Sequence, residues 1–164
     1  AIYRTNVFAM AYTFHGFIEP MTKRGRGKLV GIASVSGIRG LPGSEAYGAS
    51  KSAVITYNES LRVGLRKTGI KVQTISPGFV RTPLTSANPY KMPFVLTPDE
   101  FAERAVKTID SDASYRTIPW QMGLLAKAMR IAPNCLWDKI VANRKQKPRL
   151  ADKQKAEAEA AQRK

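Results

Sequence analysis

The feature that most limits what this chain can fold into is an alternation between helical and strand-like segments. Residues 2–22 read as a helix with apolar character from Ile2, Phe8, Ala9, Tyr12 and Phe17, stopped by Gly25 and Gly27 within KRGRGK. KLVGIA (28–33) is an apolar run of strand length, and the Gly- and Pro-rich stretch SVSGIRGLPGS after it is a loop. Ser44 then caps a long helix over 45–67, in which Ala53, Val54, Tyr57, Leu61 and Leu65 form one stripe, and Gly69 ends the segment. IKVQTI (70–75) is a second strand. Pro77 and Pro83 exclude helix from SPGFVRTPLTS, and the chain stays irregular up to Leu96.

Thr97, Pro98 and Glu100 make a capping box with proline at the first helical position, opening a helix to about Ile109. YRTIPW (115–120) is a third strand, and helices over 121–131 and 134–146 are divided by Pro133. This alternation predicts an α/β fold: a doubly wound parallel sheet of about three strands with flanking helices. The expected organisation is a sheet-bearing unit over 1–120 and a helical extension over 121–147. A charged tail over 148–164 follows, without an apolar face beyond alanine and expected to be frayed or disordered.

At 164 residues, with 43% apolar and 24% charged side chains, the chain can bury a real core. The 27 lysines and arginines exceed the 12 acidic residues, a formal charge of +15. That excess suits a phosphate-bearing ligand, an anionic surface or simply a solvated basic face. The single cysteine, Cys135, rules out an internal disulfide. No apolar run reaches membrane-span length, and the N-terminal stretch lacks the form of a signal peptide, so a cytoplasmic location is expected.

In an alternating fold the loops after the strands gather at the carboxyl edge of the sheet, where ligands bind. One such loop carries Ser34 and Ser36, the other Pro77, Gly78, Val80 and Thr82. The helix entered from the first loop places Tyr47 and Lys51 one turn apart within SEAYGASKSAV. A free tyrosine is a poor acid or base at neutral pH, and an adjacent ammonium favours its phenolate. The small residues between the two would let a bulky ligand approach the helix. An incidental surface pair is the competing explanation for two residues at this spacing.

Ser34, Tyr47 thirteen positions later and Lys51 four further resemble the Ser…Tyr-x-x-x-Lys signature of the short-chain dehydrogenase/reductase family. PGFVRT (77–82) resembles that family's Pro-Gly-x-Val-x-Thr segment, and Asn6 falls where the family has a fourth catalytic residue. The likeness runs from residue 1 to about 110. It implies a Rossmann-like fold and interconversion of a carbonyl and an alcohol with NAD(P)(H), with NAD against NADP undetermined. By the same resemblance Tyr47 is the general acid/base, and Lys51 biases it and holds the nicotinamide ribose. Ser34 positions the substrate oxygen, and Asn6 binds a water linking Lys51 to solvent. Pro77, Gly78, Val80 and Thr82 face the nicotinamide together with Tyr47 and Lys51, and 83–97 forms a substrate lid. Met92, Phe94, Val95 and Leu96 in that lid suggest an apolar substrate.

The family's glycine-rich turn for the pyrophosphate does not precede Asn6. The expectation is a C-terminal portion that starts inside the family's fourth helix, incomplete and inactive alone. The competing function is a non-catalytic remnant serving as a dimerisation or basic-surface binding module. The family also implies a homo-oligomer formed through the 2–22 and 45–67 helices. Trp120 and Trp137 are too far apart for interleaved base stacking, so nucleic acid is not an expected partner. WQMGLLAKAMRIA motivates peripheral contact between the basic C-terminal extension and an anionic membrane. His15 is expected to be structural, with no metal site, and Cys135 packed beside Leu136 and Trp137.

Overall fold

A computed structural model describes residues 1–86, 88 and 91–142 of the chain. Three strands, β1 (Gly27–Ile32), β2 (Ile70–Pro77) and β3 (Tyr115–Ile118), form one parallel sheet in that order. This is the doubly wound arrangement expected from the alternation, with helices on both faces.

Helix α1 (Ala9–Arg24) follows a single π-helical turn, Arg4–Phe8, in which the Ala9 N–H reaches back to the Arg4 carbonyl. Gly25 ends α1 in the left-handed region at φ 65°, its N–H shared between the Met21 and Thr22 carbonyls. Gly27, expected to help stop this helix, instead begins β1. The apolar residues of this segment divide between two environments. Met10, Phe14, Ile18 and Met21 meet the sheet, while Ile2, Phe8, Tyr12 and Phe17 are exposed. The inward set recurs at spacings of four, four and three, whereas the exposed residues are scattered around the rest of the helix surface.

Helix α2 (Glu45–Gly64) ends before the expected residue 67. Its Tyr57, Leu61 and Leu65 pack with the α1 residues on a core of Phe14, Leu29, Ile70 and Val72. On the opposite face α4 (Pro98–Asp110) brings Phe101, Ala105 and Ile109 onto Ile75 and Ile118. The period of two decides this division, since Leu29 pairs with Val72 beneath α1 and α2, while the next residue, Val30, points the other way. Each fully buried Leu, Ile or Val contributes roughly 1.5–3 kcal/mol.

The capping box at Thr97 forms as expected, with the Thr97 side chain accepting the Glu100 N–H and the Glu100 carboxylate accepting the Thr97 N–H. Pro83 does not keep its segment free of helix. It opens the short α3 (Pro83–Ser86), because proline at a first helical position loses no hydrogen bond. The third strand stops at Ile118, and Trp120 already begins α5 (Trp120–Ile131). Helix α6 (Asn134–Val141) is shorter than expected, and residues 143–146 of the expected helix and the tail 148–164 lie outside the described residues. Cys135 is exposed rather than packed, since Trp137 and Val141 occupy the inward face of α6. His15 is likewise exposed on α1.

Candidate active site

The loops after β1 and β2 leave the sheet side by side. Ile32 pairs with Ile75, and the Ala33 N–H donates to the Ile75 carbonyl at 2.8 Å. Ser34, 7% exposed, therefore starts its loop next to the Ser76–Pro77 end of β2. Its hydroxyl oxygen accepts the Ser36 N–H at 3.2 Å and caps a short 3-10 turn, Val35–Gly37.

Two glycines let this loop lie directly on α2. A Cβ at Gly37 would stand 2.7 Å from backbone atoms of Lys51 and Ser52, and one at Gly48 would stand 3.0 Å from the Ser36 carbonyl oxygen. The small residues between Tyr47 and Lys51 thus serve packing inside the protein. Gly48 and Ala49 also border the cavity described below.

Tyr47 and Lys51 share one face of α2. The Lys51 ammonium lies 5.8 Å from the centre of the Tyr47 ring and donates to the Ile32 carbonyl at 2.9 Å, the last residue of β1. Burial strips hydration from this ammonium and lowers its pKa below the ordinary lysine value. Tyr47 is 39% exposed, so its ring is open to an incoming molecule.

Asn6 sits in the π-helical turn, a local geometry frequent at functional sites. Its Nδ2 donates to Ser50 Oγ at 2.9 Å, and Ser50 Oγ donates to the Tyr47 carbonyl at 2.7 Å. The direct partner of Asn6 is thus Ser50, fully buried between Tyr47 and Lys51 in sequence. Sequence reasoning passed over Ser50, because nothing in a run of small residues marks the one that receives a side chain from 44 positions away.

The 77–82 segment lies at the same edge. The Gly78 N–H donates to the Ile118 carbonyl at 2.8 Å, and a Cβ there would stand 2.7 Å from the Met122 side chain. Val80 bridges to Leu96, and the Thr82 N–H donates to the Thr85 hydroxyl, which itself donates to the Val80 carbonyl. Leu96, expected to line a substrate lid, is instead in the core with Ile75 and Ile118.

A cavity of about 690 Å³ adjoins the site, between the 36–44 loop, the start of α2 and the α5–α6 pair. Here the loop is strapped to the C-terminal helices. The Arg39 guanidinium donates to Asn134 Oδ1 at 2.8 Å and to the Arg130 carbonyl at 3.3 Å, and lies 5.4 Å from the Trp137 ring centre. Arg130 donates to the Ile38 carbonyl, and the Trp137 indole N–H to the Gly40 carbonyl. None of these contacts was visible in the sequence.

The family model for short chain dehydrogenases matches residues 1–92, more than half of the chain. The chain belongs to that family. An uncharacterized oxidoreductase of Myxococcus xanthus is 41% identical over 82% of this chain and 53% of its own length. Among solved structures, a short chain dehydrogenase of Burkholderia cenocepacia in complex with NADP matches at a TM-score of 0.73 and 16% identity. That match covers 85% of this chain and 57% of the other. A short-chain dehydrogenase of Sphingobium yanoikuyae in complex with NADPH matches at 0.65 and 23% identity, over 88% and 56%. At these identities the structural matches establish the fold. The chain spans about half the length of the relatives it matches.

Proposed function

We propose that this chain carries the acid–base half of an NAD(P)-dependent oxidoreductase that interconverts a carbonyl and an alcohol. The observation that supports it best is the placement of Tyr47 and Lys51. They share one face of α2 at the carboxyl edge, with Lys51 tied to the end of β1 and the Ser34 loop packed on the same helix. The residues present fit the nicotinamide end of such a cofactor. Lys51 has three N–H donors, of which Ile32 takes one, and the Pro77 to Thr82 segment leaves the neighbouring strand at the same edge. These 164 residues contain no glycine-rich strand-to-helix turn for the pyrophosphate, so the chain alone is expected to bind dinucleotide weakly and to be inactive.

When bound, the nicotinamide supplies or accepts the hydride. Tyr47 transfers the proton at the substrate oxygen, with the Lys51 ammonium beside its ring. Ser34 holds the substrate oxygen. Asn6, through Ser50, fixes the first turn of α2 and with it the height of Tyr47. In the full-length protein the 2–22 and 45–67 helices, with the exposed Phe8 and Tyr12 on one side of the first, pair with a second copy. The substrate is a small, largely apolar carbonyl compound or alcohol met by Met92, Phe94 and Val95.

The test is oxidation of NADPH or NADH by the full-length protein against a panel of apolar ketones and aldehydes. Turnover of any member supports the reading. Salt-sensitive polyanion binding without turnover, in a preparation that binds nicotinamide, would instead favour a non-catalytic binding module.

A further inference from the structure

The two C-terminal helices carry a surface that the redox site does not use. On α5, Trp120, Leu124, Lys127 and Ile131 recur at spacings of four, three and four and form one stripe. Its apolar members are exposed by 63%, 59% and 83%, while Met122 and Ala126 on the opposite side are buried. On α6, Leu136 and Ile140 are exposed, whereas Trp137 and Val141 point inward. Each helix therefore already has a packed face, and the outer apolar stripes are additional.

We infer that the α5–α6 pair lies in the surface of an anionic membrane, with Leu124, Ile131, Leu136 and Ile140 among the acyl chains. Charge selects this occupant. Lys127, Arg130 and Lys139 stand against a single acid, Asp138, between residues 120 and 142. The sequence that follows, NRKQKPR, adds four cations and no acid. A second copy of the chain fits the stripe poorly, because Lys127 lies in its middle and would be buried against apolar side chains or its own twin. At a membrane the same lysine extends its stem along the apolar face and leaves its ammonium among the phosphates. Trp120 sits at the end of the stripe, suited to the headgroup level. Among the described residues no helix is long and apolar enough to cross a membrane, so the pair lies in the interface rather than spanning it.

The experiment is co-sedimentation of the full-length protein with phosphatidylcholine vesicles, with and without phosphatidylglycerol, alongside tryptophan emission. Binding is expected only with phosphatidylglycerol present, with a blue shift that Trp120→Phe removes. The paired change Leu124→Glu and Ile131→Glu should weaken binding roughly ten-fold or more. Lys127→Ala should weaken it about five-fold. Arg24→Ala with Arg26→Ala, remote in the fold at the amino end of β1, should leave it unchanged. Four results would each overturn the inference. They are absence of binding, binding that ignores phosphatidylglycerol, binding unaffected by the α5 variants, and an α5 variant that only splits a dimer. Should the glutamate pair lower the melting temperature, Lys127→Ala and the Trp120 shift decide the matter without it.

Discussion

The loops after β1 and β2 leave the same edge of the sheet and are held in opposite ways. The first, carrying Ser34, is pressed onto α2 at Gly37 and Gly48 and strapped to the C-terminal helices through Arg39, Arg130 and Trp137. After Gly78, the second is stitched by the Thr85 hydroxyl and the Val80–Leu96 bridge within its own length, and Leu96 anchors its far end in the core. The difference follows the work proposed for each. A group that positions the atom receiving a proton must hold its place relative to Tyr47, which requires contacts to other elements. A segment that meets a variable substrate can change without disturbing its neighbours when its bonds are internal.

If that contrast is right, Gly37→Ala has the largest effect on the scaffold. Its methyl would meet the backbone of Lys51 and Ser52, which cannot swing away, and stability should fall by roughly 1–3 kcal/mol with a matching loss of turnover. Gly40→Ala, in the same loop but with open space around it, should change stability by less than about 0.5 kcal/mol in the same denaturation series. Equal costs at the two positions would break the contrast.

Trp137→Phe removes the indole bond to Gly40 and should cost about 1 kcal/mol. Because the strap holds the Ser34 loop, kcat should drop while nicotinamide affinity stays the same. Thr85→Val in the second loop removes the bonds to Thr82 and Val80 at a cost of about 0.5–1.5 kcal/mol. Its kinetic signature should be a change in KM with kcat nearly preserved. A KM effect from Trp137 and a kcat effect from Thr85 would invert the assignment of the two loops.

The smallest effect concerns pH. Lys51 has its pKa lowered by burial, so the unfolded chain binds more protons between that lowered value and the ordinary lysine value. Stability should therefore rise with pH across this window. Lys51→Met should flatten that part of the slope in denaturant midpoints measured over alkaline pH.

What could be read from the sequence was local or fixed by order along the chain. The capping box at Thr97 is complete within four residues, and the Ser34–Tyr47–Lys51 spacing needs no knowledge of packing. The sheet followed from alternation alone. The inward face of α1 was present in the four-residue spacing of Met10, Phe14 and Ile18, which the larger but scattered aromatics Phe8, Tyr12 and Phe17 obscured. Proline rules read at Pro83 missed α3, because the same residue that breaks a helix interior can start a helix. The Asn6–Ser50 bond and the Arg39–Trp137 contact join residues 44 and 98 positions apart, and no local pattern specifies either.

The most direct measurement is the kcat of Tyr47→Phe in the full-length protein, with NADPH affinity measured by nicotinamide fluorescence on the same samples. Loss of a positioned general acid/base should lower kcat by roughly 10²–10⁴-fold, with cofactor affinity retained because the ring and its helix remain. Turnover at the wild-type rate from Tyr47→Phe would contradict the assignment of Tyr47, and with it the role given to Lys51 and the Ser34 loop.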